Sequence, residues 1–241
     1  MTAVRMIGPG RAGRSFAAAL EKVGVEVAGI LGRDDDARWA AQGVDAIIIS
    51  TSDTEIAGVA ASVVPSPTTV VMHLSGALGL DVLQPHLRRG SLHPLAPLPD
   101  EHIGVIRLLS GITFAVDGDP MATHLATLLG GKPVAVDDAK RDAYHAAACI
   151  ASNHVVALLG QVERIAAQSG LDLDMFLGLT ACALADVTSM GPSAALTGPA
   201  ARADLATLQR HREAMAEDEI EAYDACVALA RRLVEEPVPC V

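Results

Sequence analysis

The sequence predicts an α/β fold: an N-terminal doubly wound, mostly parallel sheet followed by an all-helical C-terminal domain. Three observations carry this. A short apolar strand at 4–7 runs into Gly8-Pro9-Gly10-Arg11-Ala12-Gly13 and then an Ala-rich helical stretch. Strand and helix patterns alternate up to about Asp138, the mark of a parallel sheet with helices on both faces. Beyond Asp138 strand signals vanish and helical patterns fill the chain. The expected organisation is a sheet domain over 1–138 and a helical substrate or dimerisation domain over 139–241, with the active site in the cleft between them.

The elements follow in order. Strands are expected near 4–7, 25–31, 46–50, 69–74, 112–116 and 133–136. Helices are expected near 12–23, 34–41, 54–64, 80–87 and 120–129. Ala46-Ile47-Ile48-Ile49 is an uninterrupted apolar run, suited to a central strand buried on both faces. The stretch 91–101 holds three prolines and reads as an ordered loop. A long helix is expected over 138–162, with Asp137 or Asp138 as N-cap. Helices near 173–188, 202–216 and 219–235 follow, with a Gly/Pro loop at 191–199.

Strand, Gly-x-Gly-x-x-Gly, helix is the order of a Rossmann dinucleotide fold. Gly8 permits the tight turn out of the strand, and Gly10 lets the backbone approach a pyrophosphate. Gly13 lets the helix pack closely on the strand. The N–H groups of the helix N-terminus, Arg11 and Ala12 included, then face the phosphates.

Composition bounds the remaining possibilities. Of 241 residues, 51% are hydrophobic but only 2% aromatic, so the core must be built from Ala, Val, Leu and Ile. The formal net charge of -11 argues against a nucleic-acid or anionic-membrane surface, since both need basic patches. Cys149, Cys182, Cys226 and Cys240 are far apart and form no zinc-type pair, so no metal is expected and the thiols read as reduced and cytoplasmic. No signal peptide is expected ahead of the first strand, and with no run of eighteen apolar residues no membrane span is expected.

The second strand is followed by Gly32-Arg33, where an NAD-binding chain carries an acidic residue. A guanidinium there suits the extra phosphate of NADP. Asp34, Asp35 and Asp36 leave NAD open, as ribose ligands. Arg11 can also reach phosphate. Ligands bind beyond the carboxyl ends of strands in such sheets, which draws in Thr51 and Ser52, then Ser75 and Gly76. Ser75 is placed to bond the nicotinamide ribose or substrate, and Gly76 allows close approach. His73 shares the face of Ser75 if the strand continues that far, and His93 follows the next short run. On the long helix, His145, Cys149 and Asn153 recur every four residues along one stripe. His145 is expected to donate a proton to a carbonyl or imine, with Asn153 and His93 positioning substrate. Farther on, Thr197 or Asp204 is a helix-cap candidate, and Arg202 a ligand for a substrate carboxylate.

Five segments, GPGRAG, HLSGALGLDVL, SLHPL, AYHAAACIASNHVVAL and LTGPAARAD, together resemble the Rossmann-like proteins that carry the C-terminal domain DUF2520, distant relatives of pyrroline-5-carboxylate reductase and ketopantoate reductase. The resemblance implies an NADP-binding domain and a helical domain that pairs two subunits. The chain departs from ketopantoate reductases in carrying His145 where they carry a Lys. The region of Thr197-Gly198-Pro199 matches poorly the hydroxyl-rich loop of the pyrroline-5-carboxylate enzymes.

The expectation is therefore an NADP-dependent oxidoreductase that reduces C=O or C=N in a small carboxylated metabolite, as a cytoplasmic homodimer. A deazaflavin is the alternative redox partner. A non-catalytic dinucleotide-binding sensor or scaffold dimer is the rival reading.

Overall fold

A computed structural model describes residues 2–235. The chain forms two compact units, the first ending at Ser152 and the second beginning at Asn153. The expected boundary at 138 falls at the start of a helix that groups with the sheet.

The first unit is built on seven strands: β1 (Ala3–Ile7), β2 (Glu26–Leu31), β3 (Ala46–Ile49), β4 (Val70–His73), β5 (Arg89–Pro94), β6 (Thr113–Gly118) and β7 (Lys132–Ala135). Their order in the sheet is β2-β1-β3-β4-β5-β6-β7. All neighbours run parallel except β5 and β6, which are antiparallel. Chain order reverses at β1, with β2 on one side and β3 on the other. That is the switch point where such sheets open a crevice for ligands.

Alternation along the central strands builds two cores. Val4 and Met6 of β1, Ala46 and Ile48 of β3, and Val70 and Met72 of β4 join Phe16 and Leu20 of α1 (Arg11–Lys22) on one face. That core continues to α3 (Glu101–Leu108) and α4 (Pro120–Leu128). Ile7, Ile47, Ile49 and Val71 point the other way, onto Ile56 and Ala60 of α2 (Asp53–Ser62). Side chains of a strand alternate between faces, so the apolar run of β3 feeds both layers. The doubly wound sheet is thus the one the sequence predicts.

Three local expectations need correction. Residues 34–41 form turns, not a helix. The carboxylates of Asp35 and Asp36 accept the backbone N–H groups of Gly32 and Arg38 and so compete with helical pairing. The stretch read as loop from 91 contains the end of β5, and α3 begins at its far edge with Asp100 as a true cap, accepting from Ile103 N–H at 2.8 Å. The segment near 80 is a single 3-10 turn, Leu80–Leu83.

The helix α5 (Asp138–Cys149) starts at the expected cap, Asp137, whose carboxylate accepts from the Lys140 N–H. It passes through a π-helical turn, Ile150–His154, into α6 (Val155–Ala167). The second unit holds α6, α7 (Asp174–Ala195), α8 (Leu205–Ala214) and α9 (Glu217–Glu235). Here the helix read over 173–188 extends to Ala195, past Gly191, whose φ of 78° allows a kink ahead of Pro192. Of the two proposed caps in this region, Asp204 serves, accepting from Thr207 N–H. Glu219 of α9 is buried and ties the unit together, accepting from Arg164 at its carboxylate and from Gln161 at its carbonyl.

Two helical runs, Asp138–Ala167 and Asp174–Ala195, are long and apolar enough to cross a membrane by length and composition. Neither is an unbroken apolar run, since polar residues are scattered through both. In the first run, Arg141 is buried in an ion-pair network against the sheet, which a lipid-facing segment would not tolerate.

Candidate active site

The site begins at the switch point. Gly8 has φ +114° and sits so close to β3 that a Cβ would lie 2.9 Å from the Ser50 carbonyl carbon. At Gly13 a Cβ would lie 2.0 Å from the Gly8 oxygen. Gly10, the N-cap of α1, differs: nothing lies within 4 Å of its missing Cβ. Two glycines close the turn and the third leaves open space at a helix N-terminus, the arrangement a pyrophosphate needs. Ala12 packs on the core, while Arg11 is exposed on the first turn.

A crevice of about 910 Å³ opens from this loop, lined by Gly8, Gly10, Gly32, Arg33, Thr51 and Ser52 among others. The Thr51 hydroxyl is buried beside it with no hydrogen-bond partner. Arg33 stands at the rim, 2.9 Å from Glu55. Asp35 and Asp36, the candidate ribose ligands, are engaged in turns.

Farther along the same carboxyl edge, side chains of β4, β5 and α5 converge. His73, the last residue of β4, is fully buried. Its Nε2 lies 3.3 Å from the Gly79 carbonyl, which only accepts, so Nε2 carries the proton and Nδ1 is left unpartnered. Burial pushes its pKa down to about 4, and His73 is neutral at neutral pH. Because β4 ends at His73, Ser75 does not continue the strand face. Its hydroxyl instead accepts the N–H groups of Ala77 and Leu78, which leaves its own proton free to donate.

His93 of β5 and Tyr144 of α5 form the closest polar pair, with Nδ1 and the phenol oxygen 2.6 Å apart. Burial, with the charges of His145 and Arg141, holds the His93 pKa down at about 4. Burial raises that of Tyr144. The pair is therefore a neutral imidazole and a protonated phenol. His145 stands edge-on to His93 with ring centroids 6.2 Å apart. Two of these rings close on Gly76: a Cβ there would come within 2.8 Å of both the His145 and His93 rings. The glycine makes room for the cluster.

The helix is held in register by Arg141, which the sequence reading did not select. Arg141 is 2% exposed. Its Nη2 donates to Ser91 Oγ at 2.9 Å and to the Val136 carbonyl at 3.1 Å, and it faces Asp117 and Asp138. Ser91 and His93 share a strand face, and Arg141 and Tyr144 are one helical turn apart. Two rungs, Ser91–Arg141 and His93–Tyr144, thus join β5 to α5.

The stripe of His145, Cys149 and Asn153 is not continuous. His145 Nε2 lies 3.8 Å from Cys149 Sγ, as an i,i+4 pair should. Asn153 falls inside the π turn, which changes the step after Cys149, and is exposed in the second unit. Among the described residues no group of three His, Cys, Asp or Glu could hold a metal. Cys149, Cys182 and Cys226 are free thiols, and Cys240 lies outside the described residues.

Sheet order, switch point and glycine loop define a Rossmann-type α/β protein. Residues 111–230 match the model of a domain of unknown function, DUF2520. Three solved structures share the fold across nearly the whole chain. The protein BF3122 from Bacteroides fragilis is 19% identical with TM-score 0.78, covering 98% of each chain. A reductive aminase from Aspergillus terreus, in complex with NADPH4, cyclohexanone and allyl amine, is 15% identical with TM-score 0.71, covering 98% of this chain and 95% of its own. A pyrroline carboxylate reductase from Plasmodium falciparum, with NADP bound, is 11% identical with TM-score 0.63, covering 97% and 98%. No curated protein matches the sequence.

Proposed function

We propose that the protein is an NADP-dependent oxidoreductase that reduces the C=O or C=N bond of a small, carboxylated metabolite. The observation that carries this reading is the convergence of His93 and His145 on Gly76, with Tyr144 hydrogen-bonded to His93, on the same sheet edge as the glycine loop. The solved relatives that hold NADPH or NADP share this fold, which supports the choice of cofactor.

The residues present fit the dinucleotide. The open space at Gly10 and the N–H groups of α1 would take the pyrophosphate, and Thr51 and Ser52 the adjoining ribose. Arg33 would pair with the 2′-phosphate. Ser75 and Gly76 would lie beside the nicotinamide. NADP(H) would supply the hydride that the polar carbon of the substrate accepts.

The chain supplies the proton. If Tyr144 donates to His93 Nδ1, the mobile proton sits at His93 Nε2; if Nδ1 donates, it sits on the phenol oxygen. Either way a neutral pair holds one proton that can pass to the substrate oxygen or nitrogen as the hydride arrives. His145, beside the same space, is the second candidate donor, and Asn153 remains the candidate for orienting substrate. Arg202 is the candidate for its carboxylate.

The working form is proposed to be a cytoplasmic homodimer paired through the helical unit. Leu177, Leu179, Leu184 and Met190 of α7 are exposed on a single chain, and burying them against a second copy removes apolar surface from water. Light scattering of the purified protein should give twice the chain mass, and Leu184→Lys should yield the monomer.

NADPH consumption in the presence of keto acids and cyclic imines tests the activity. His145→Ala should lower turnover and leave NADPH affinity nearly intact; unchanged turnover would remove His145 from the mechanism. Tight NADPH binding with no turnover of any carbonyl or imine would favour the sensor reading.

A further inference from the structure

Resting on the nucleotide reading above, we propose that Glu55 is a selectivity-determining residue, whose carboxylate shares the seat beside Arg33 and limits the preference for NADPH over NADH.

The crevice near Arg33 faces two guanidiniums, Arg33 and Arg38, with three carboxylates, Asp35, Asp36 and Glu55. Two of these carboxylates are spent on the turn that follows β2. Asp35 accepts Gly32 N–H at 2.7 Å, and Asp36 accepts Arg38 N–H at 2.9 Å. Glu55 is different. One of its oxygens pairs with Arg33 Nη2 at 2.9 Å and the other accepts the Ser52 hydroxyl at 2.7 Å. Ser52 and Glu55 have the spacing of a capping box, but the Ser52 side chain bonds Glu55 and caps no backbone N–H. The carboxylate is thus turned toward Arg33, and hydrogen bonding from Ser52 and Arg33 keeps it ionised.

A carboxylate in this place treats two nucleotides in opposite ways. A ribose 2′-hydroxyl can donate to it. A 2′-phosphate must displace it from Arg33 and then stand beside a like charge. Both side chains are well exposed, Arg33 at 86% and Glu55 at 44%, so the pair is weak and the displacement is cheap. Glu55 tempers the preference for the phosphate and lets NADH compete.

Titrating wild-type protein and Glu55→Gln with NADPH and with NADH, followed by nucleotide fluorescence, tests this. The amide keeps the size and the Ser52 contact but removes the charge. The ratio of Kd for NADH to Kd for NADPH should rise about fivefold in Glu55→Gln, through tighter NADPH and looser NADH. A ratio unmoved while wild-type protein binds NADPH overturns the role of Glu55 and leaves the nucleotide site standing. Failure of wild-type protein to bind either nucleotide overturns both. Equal melting temperatures for the two proteins establish that the variant is folded.

Discussion

The two halves of the candidate site are made of different material. At the switch point the work falls to backbone: three glycines, a helix N-terminus and a strand held at van der Waals distance. At Gly76 it falls to side chains: imidazoles and a phenol delivered by β4, β5 and α5 and held by a buried arginine. A backbone site tolerates change in the surrounding side chains but no added Cβ at Gly8 or Gly13. A side-chain site depends on anchors that lie far away in sequence. The first half suits a phosphate group common to many reactions. The second is where one particular chemistry is set.

The comparison breaks most sharply at Gly13. Gly13→Val places carbon where the Gly8 oxygen stands at 2.0 Å from an ideal Cβ, and the loop cannot relax without leaving β3. Loss of all nucleotide binding is expected in a titration with NADPH, with a fall in thermal stability. Binding at wild-type affinity would mean the loop is not the phosphate seat.

Removing the anchor of the other half is the next largest change. Arg141→Met strips Ser91, Asp117 and Asp138 of their shared partner and is expected to cost about 3 kcal/mol in denaturant unfolding. NADPH affinity of the folded fraction should hardly move, because the anchor serves the side-chain half only.

Acid sharpens the same contrast. His73 carries a pKa near 6.5 when unfolded and about 4 when folded, so the unfolded chain binds more protons between these values. Its stabilising contribution is complete above pH 6.5 and is lost as pH falls toward 4, by about 3 kcal/mol. His73→Gln should flatten the dependence of unfolding free energy on pH across that window. His93 shifts the same way, so some slope should remain.

Tyr144→Phe is the mildest cut, since it removes one oxygen. Turnover should fall about 10²-fold with NADPH affinity unchanged, measured with any substrate the wild-type protein reduces. A change in affinity with turnover intact would place Tyr144 in the nucleotide half.

The halves also differ in how far they could be read from the chain. The glycine loop was legible because its parts are contiguous and each spacing has a steric cause. The apolar runs of β1, β3 and β4 were legible for the same reason. Strand β5 was not, because its six residues include Arg89, Gly90 and Pro94 and carry no alternation. The His93–Tyr144 pair joins residues 51 apart, and only the sheet order brings them together. Arg141 gave no signal, since a charged residue near a helix start reads as solvated. Residues 34–41 misled because their aspartates bond backbone, a choice that helical periodicity does not reveal. The π turn that contains Asn153 had no signature in the spacing.

The most direct test of the account is a titration of the purified protein with NADPH, followed by nucleotide fluorescence, with Arg33→Ala alongside. Saturable binding of one NADPH per chain, weakened about tenfold or more in Arg33→Ala, is the predicted result. No saturable binding by the wild-type protein would contradict the central claim that the crevice beside the glycine loop is a dinucleotide site.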